Sequence, residues 1–269
     1  MASILNNVAA LGASRQLAIT SNGLQQTIER LTSGKRINRA SDDAAGLAIS
    51  NKLGANIRIA SQGARNTGDG ISYLQVADGA LDEVTNLLTR AAELAEQAAS
   101  GFNASNLTPL DAEFLAIKTA IDNIGNNTLF NGATIFLSTN SFAVHAGDYG
   151  VVSVLVGTLS SSAGGLNLTA DSLGSNASAS ASITAIRAAI DKVSATRGSL
   201  GASQQQLKSV QNSLGIEVEN FTTAFSQIRD ANIADEIVNL TKFQILSQSG
   251  TSALSQANQA SQGILALLR

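Results

Sequence analysis

Apolar and small side chains recur at intervals of three and four along most of this chain. From Ile233 to Arg269 the stripe runs Ile233, Ile237, Leu240, Phe243, Ser247, Gly250, Leu254, Ala257, Ser261, Ile264 and Leu268. No proline or capping sequence interrupts it, so it predicts a single helix of roughly ten turns. The stripe persists to the final turn, where most chains fray into polar residues. The other end repeats the pattern. Ile4, Leu11, Leu17, Leu24, Ile28 and Leu31 share one face and predict a helix over 4–33, with Gly34 as its C-terminal stop. Two long, narrow stripes at opposite ends of a chain can pair with each other. Together they still leave apolar surface, which points to further copies of the same molecule as partners.

Between these ends the helical period continues. Residues 35–40 are polar and basic and form a connector. Ser41 is the candidate N-cap of a second helix, with Asp42 and Asp43 at the positive end of its dipole. The stripe from Leu53 through Leu74, Leu81 and Leu88 to Ala98 predicts a coiled-coil-like rod. Gly68 and Gly70 weaken it by about 1 kcal/mol each relative to Ala. A third helix is predicted to open at Pro109, with Leu110, Phe114, Ile117, Ile121 and Ile124 on its apolar face. Residues 125–182 then change character. Asn131-Gly132 is a hairpin turn signal, and Thr134–Leu137, Ser141–Val144 and Val151–Val156 read as short strands. Residues 160–182 are rich in Ser, Gly, Ala and Asn and read as a surface loop. Helix resumes near Ile183 and runs to the connector 229–232.

The predicted fold is mainly α. It is a long antiparallel coiled-coil-like helical rod with a small β-hairpin patch at its tip and both termini paired at one end. The predicted domains are an inner terminal-helix domain, 1–40 with 230–269, and a rod domain, 41–229, whose β-containing tip spans about 125–182.

Composition narrows the function. Charged residues are 14% and aromatics 4%, with one proline, no cysteine and no tryptophan in 269 residues. Small residues on helices suit close-packed rods, whereas a compact enzyme core uses more aromatic volume. The net charge of −3 gives no electrostatic case for nucleic acid. Absent cysteine excludes disulfide scaffolds and thiolate chemistry. The N-terminus MASILNNVAALGASRQ lacks the basic region of a secretion signal, and no apolar run reaches a membrane span. No cofactor, membrane or enzymatic activity is expected. His145 is the sole histidine, and Gly68-Asp69-Gly70 lies inside a helical pattern where a phosphate loop does not belong.

The segment LQQTIERLTSGKRINRASDDAAGLAISN (24–51) carries a specific resemblance. With ARNTGDGISYLQVADGALDEV (64–84), LLTRAAELAEQAASG (87–101), Phe130-Asn131-Gly132 and DANIADEIVNLTKFQILSQSGTSALSQANQASQGILALLR (230–269), it resembles bacterial flagellin over about 1–135 and 183–269. The resemblance implies a structural subunit that polymerises into the flagellar filament used for swimming. Its terminal helices would line the inner tube, and this would be a minimal form without separate outer domains. It also implies a secreted, extracellular location. The implied partners are copies of itself, the flagellar export apparatus and its flagellin chaperone, and the hook-associated and cap proteins. The alternatives are a flagellin-like hook–filament junction or minor filament protein, and, from another class, a helical enzyme or secreted effector.

Two sets of residues are candidates. For contacts between subunits these are Ile4, Leu11, Leu24, Ile28, Ile237, Leu254, Ile264 and Leu268 from the stripes. Arg36, from a basic cluster with Arg30, Lys35 and Arg39, joins them, as do Asp42 and Asp43. The two aspartates also have a plain reading as helix-start electrostatics. The second set rests on the resemblance. Leu88-Thr89-Arg90-Ala91-Ala92-Glu93-Leu94 is similar to the rod motif that an animal Toll-like receptor recognises in flagellins. Arg90, Glu93 and Leu94 match it, Glu113 is the supporting carboxylate, and Thr89 and Ala92 depart from it. Arg90 and Leu94, four residues apart, are expected on one accessible face.

Overall fold

The computed structural model describes residues 7–103, 106–136, 141–162, 165–168 and 172–267. Of the described residues, 79% are helical. The helices are α1 (Val8–Ser33), α2 (Ala44–Ala99), α3 (Leu107–Asn127), α4 (Asn176–Arg229) and α5 (Ile233–Leu267). Two antiparallel pairs of short strands complete it: β1 (Leu129–Phe130) with β2 (Ala133–Thr134), and β3 (Ser141–His145) with β4 (Val151–Leu155). The chain forms two compact units, Met1–Ile57 with Glu219–Arg269, and Arg58–Val218. The division falls inside α2 and α4, whereas the sequence-based division follows the connectors.

In the terminal unit, Asn7 caps α1 by accepting from the Ala10 N–H, and Gly34 ends the helix in the left-handed region at φ 67°. α1 and α5 pair antiparallel. Arg30 meets Glu236, Gly23 lies under Phe243, Leu17 touches Gly250, and the Asn7 side chain donates to the Ala257 carbonyl at 3.1 Å. Glycine sets the closeness: a Cβ on Gly23 would sit 2.7 Å from the Phe243 ring. The two connectors also pair. Lys35 and Asp230 form an antiparallel bridge, flanked by Arg36 N–H to the Arg229 carbonyl at 2.7 Å and Ala231 N–H to the Gly34 carbonyl at 3.0 Å.

The start of α2 differs from expectation. Asp43, not Ser41, caps it, accepting from the Gly46 N–H at 2.9 Å. Asp42 instead closes the preceding turn, its Oδ2 accepting from the Asn38 and Arg39 N–H groups at 3.1 and 2.9 Å. A carboxylate, with charge to place against aligned N–H dipoles, takes the cap in preference to the hydroxyl.

In the second unit α2 and α4 run antiparallel. Gly70 lies near Leu207, Asp78 pairs with Arg197, Glu96 with Arg187, and the Ala99 carbonyl accepts from Asn176. α3 lies against them. Leu74, Leu81, Leu88 and Leu94 of α2 are buried with Phe114 and Ile121 of α3 and Ile186, Leu200 and Leu207 of α4. Ala77, Ala91, Ala95 and Ala98 are buried between them, so small residues let the helices approach and one core phenylalanine, Phe114, suffices on α3.

The strands fold onto this helical base. Asn131 and Gly132 both have positive φ, 50° and 79°, as the two-residue turn joining β1 to β2 requires. In β4, Val152 and Val154 point inward and Val151 and Leu155 outward. The cross-strand partners of Val152 and Val154 are Val144 and Phe142, and Phe142 stacks on Tyr73 at 4.4 Å between ring centroids. Burial pushes the Tyr73 phenol above its ordinary range. Gly70 makes room for Val144, whose Cγ2 would lie 2.8 Å from a Cβ there.

Three boundaries differ from expectation. β2 ends at Thr134 because Ile135 and Phe136 leave the ladder to enter the core, and Leu137 lies outside the described residues. α3 starts at Leu107, so Pro109 sits within the first turn, where its missing N–H costs nothing. α4 starts at Asn176, about two turns before Ile183. There Ser178, Ser180 and Ser182 donate their hydroxyls to carbonyls three and four residues back, so serines that read as loop fit a helix.

The stretch before α4 is not a plain surface loop either. Leu166, Leu168 and Leu173 are buried. α3 holds the stretch by two carboxylates: Asp122 accepts from the Ser161 N–H and hydroxyl at 2.7 and 2.8 Å, and Asp111 accepts from the Leu173 N–H at 2.6 Å. Gly125 permits that approach, since a Cβ there would collide with the Leu159 carbonyl.

Candidate assembly surface

α1 and α5 are paired yet poorly covered. Among its described residues α1 buries only Thr20 and Thr27, and α5 only Glu236. Val8, Leu11, Ile19 and Ile28 stay exposed on α1, Leu11 at 64% and Ile28 at 47%. On α5, Ile233, Ile237, Val238, Ile245 and Leu246 do the same. Ile237 and Val238 are adjacent, as are Ile245 and Leu246, so the apolar residues wrap around α5 instead of lining one face. A helix that is apolar on several sides is one built to be buried.

Of the stripe residues proposed from sequence, Leu11, Ile28 and Ile237 are exposed, while Leu24 and Leu254 are half-buried in the α1–α5 pair. Ile4 and Leu268 lie outside the described residues. Ile264 is in α5, but its side chain lies outside the described set.

Most of the charged candidates already have partners within the chain. Arg36 Nη2 donates to the Ile228 carbonyl at 2.8 Å and so satisfies the end of α4. Arg39 pairs with Glu29 at 3.0 Å and Arg30 with Glu236 at 3.3 Å. Asp42 and Asp43 serve the turn and cap described above. The two N–H donors of Arg39 and Asn38 hold the Asp42 carboxyl below its ordinary value of 3.8.

The Arg90 cluster is half as sequence suggests. Arg90 on α2 reaches Glu113 on α3 at 2.8 Å and Glu93 at 3.1 Å, and all three side chains are about half exposed. Both carboxylates, Glu113 above all, raise the guanidinium further above its ordinary value. Leu94 does not join them. It is 1% exposed and part of the core. The expected shared face fails because α3 and α4 both pack on this stretch of α2, widening its buried stripe to include Ala91, Leu94 and Ala95. Sequence reading missed the Arg197 clamp, which reaches Asp78 at 2.9 Å and Asp82 at 2.8 Å. Two aspartates at i and i+4 were its only signal.

Other chemistry is sparse. A groove of about 200 Å³ beside β3 brings Asp69 and the exposed His145 together, and the His145 carbonyl accepts from Asn66 at 2.9 Å. Among the described residues no three His, Cys, Asp or Glu side chains are grouped to hold a metal ion. Among them, too, no helix is long and apolar enough to cross a membrane.

The comparisons with known proteins agree with an assembling helical protein. The model for the bacterial flagellin N-terminal helical region matches residues 4–141, and that for the C-terminal helical region matches 183–268. The chain is 38% identical over 270 residues to a flagellin of Halalkalibacterium halodurans, covering 99% of both chains. It is 36% identical over 286 residues to the flagellar filament 33 kDa core protein of Treponema phagedenis, again covering 99% of each. The crystal structure of Bacillus cereus flagellin superposes with a TM-score of 0.50 at 31% identity, covering 56% of this chain and 88% of that one. The chain belongs to the bacterial flagellin family.

Proposed function

We propose that this chain is the structural subunit of a bacterial flagellar filament and polymerises with copies of itself. One observation carries the reading. Among the described residues, α1 and α5 fully bury no apolar side chain against each other, yet they hold large aliphatic residues on several sides. Each such residue is worth about 1.5–3 kcal/mol when removed from water, so neighbouring copies are the natural cover. The inner domain, 1–40 with 230–269, forms the core of the polymer in this reading. Membership of the family supports extracellular placement, passage through the flagellar export apparatus with its chaperone, and contact with hook-associated and cap proteins as parts of this reading.

The test is direct. Purified chain in polymerising salt is examined by electron microscopy. Long helical filaments support the proposal, and protein that stays monomeric when seeded with filament fragments would refute it. Abundance in sheared cell filaments separates a bulk subunit from a junction or minor protein.

A Toll-like-receptor contact is a second reading. Its support is the exposed Arg90–Glu93–Glu113 cluster, without Leu94.

A further inference from the structure

We infer that Asn131 is a site of spontaneous deamidation, set apart by the fold from the chain's other Asn-Gly pair. Asn-Gly occurs at 131–132 and at 22–23. The dipeptide is vulnerable because glycine offers the following backbone nitrogen without a shielding side chain. The two copies have opposite surroundings.

Asn131 and Gly132 are the two turn residues between β1 and β2, both exposed and both at positive φ. Beyond its chain neighbours, no atom lies within 4 Å of where a Gly132 Cβ would be, so no other part of the fold covers that side of the backbone. The ladder has two residue pairs, Leu129 with Thr134 and Phe130 with Ala133, and below them the Ile135 N–H donates to the Thr128 carbonyl and Phe130 meets Tyr73 edge-on, so the anchoring lies at the base and not at the turn. Two-stranded ribbons this short open readily. Asn22 and Gly23 lie inside α1. By helical geometry the Gly23 N–H is bonded to the Ile19 carbonyl. Its backbone is also covered by the Phe243 ring, 2.7 Å from a Cβ placed there.

The reaction needs only water. The Gly132 nitrogen gives up its proton and bonds to the Asn131 Cγ. The Cγ–Nδ2 bond breaks and the amide nitrogen leaves as ammonia, closing a five-membered succinimide. Water then adds to either ring carbonyl and reopens it to aspartate or to isoaspartate. One water is consumed, one ammonia is released, and nothing is oxidised or reduced. Ring closure requires rotation about the Asn131 Cα–C bond. At the hairpin this disturbs the two pairs, whereas at Asn22 it must break α1 and lift Gly23 from Phe243. Aspartate keeps the turn and adds a charge. Isoaspartate adds a backbone atom, which a two-residue turn cannot absorb.

The experiment ages the full folded chain in mildly alkaline buffer and follows both peptides by mass spectrometry, reading the exchange of NH2 for OH. Conversion at Asn131 should be at least about tenfold faster than at Asn22, a factor equal to about 1.4 kcal/mol of extra opening at the helix. In guanidinium chloride the two rates should converge, because the flanking fold is gone. Asn131→Gln should abolish the gain in the 131 peptide. An intact Asn131, equal rates in the folded chain, or a contrast that survives denaturation would each overturn the inference.

Discussion

Arg30 reaches across from α1 to place Nη1 3.3 Å from Oε1 of Glu236 on α5, while the second oxygen of that carboxylate is buried without a hydrogen-bond partner among the described residues. The Glu236 side chain is 9% exposed and that of Arg30 is 33% exposed. A half-satisfied buried carboxylate depends on its one cation. Arg30→Met should therefore cost about 1–3 kcal/mol, the penalty of leaving a buried group unpaired, moderated here because the arginine is partly solvated. Removing both charges in Arg30→Met/Glu236→Leu should recover part of that loss. Thermal unfolding of assembled protein, followed by far-ultraviolet circular dichroism, gives the comparison. A double variant no more stable than Arg30→Met would show that desolvation of Glu236 is unimportant.

Two glycines inside helices should respond oppositely to alanine. Gly79 in α2 has nothing within 4 Å of a Cβ, so Gly79→Ala should stabilise the second unit by about 0.5–1 kcal/mol through helix propensity. At Gly125 in α3 a Cβ would fall 1.9 Å from the Leu159 carbonyl oxygen. Backbone cannot swing aside as a side chain can, so Gly125→Ala should destabilise by about 1–3 kcal/mol or more. Urea midpoints at constant m-value decide both signs. A stabilised Gly125→Ala would mean that the backbone at Leu159 yields without cost.

Helix periods were legible because Leu, Ile and Ala at three- and four-residue spacing have no competing reading over fifty residues. Leu81, Leu88, Phe114 and Ile121 are buried as their stripe requires. The start of α4 was not legible. Ser178, Ser180 and Ser182 disfavour a helix when counted by propensity alone, and only their hydroxyl bonds to the preceding turn reverse this. Leu166, Leu168 and Leu173 were lost for a related reason. Scattered among Ser and Gly they have no period, and the stretch is held by Asp111 and Asp122, whose bonds to Leu173 and Ser161 span 62 and 39 residues of sequence. Leu94 shows the limit of spacing arguments. Its face on α2 follows from the sequence, but the number of helices packed on that face does not.

Asp42 should make the turn before α2 acid-sensitive. Its carboxyl is held below 3.8 by the Arg39 and Asn38 N–H groups. A depressed folded-state pKa means that the unfolded chain takes up the proton first as pH falls. The stabilisation is therefore complete above 3.8 and disappears as pH drops through the lower folded value. Asp42→Asn retains one acceptor and cannot titrate, so the stability gap between native chain and variant should be widest near neutral pH and close in acid. Asp42 is almost fully solvated, so the gap should be small. A gap independent of pH would mean that the charge plays no part.

Arg90 and Leu94 separate contact from folding. Arg90→Ala removes both ion pairs to exposed carboxylates, so the melting temperature should shift little. If the cluster is a receptor contact, monomer-driven receptor signalling should fall, and polymerisation should weaken where the same face meets a neighbour. Leu94→Ala should instead cost about 2–5 kcal/mol by opening the core, and lower signalling only in proportion to the protein unfolded. Signalling by Arg90→Ala equal to that of the native chain would remove this surface from consideration.

The exposed stripes of α1 and α5 yield the sharpest test of assembly. Leu11→Asn and Val238→Asn change side chains that are 64% and 66% exposed in the single chain. Solvated surface tolerates such changes within about 0.5 kcal/mol, so secondary structure and melting of the dissociated protein should hold. In a polymer that covers these residues, each substitution removes about 1.5–3 kcal/mol of apolar burial. It also leaves an amide without a hydrogen-bond partner, which adds to the loss. Every 1.4 kcal/mol raises the concentration needed for growth tenfold. Each variant should therefore need at least about tenfold more protein to form sedimentable filaments, and the two together should form none at concentrations that suffice for the native chain. Growth of both variants at the native threshold would show that these residues stay in water after assembly, and the polymer would then have to be held by surfaces of the second unit.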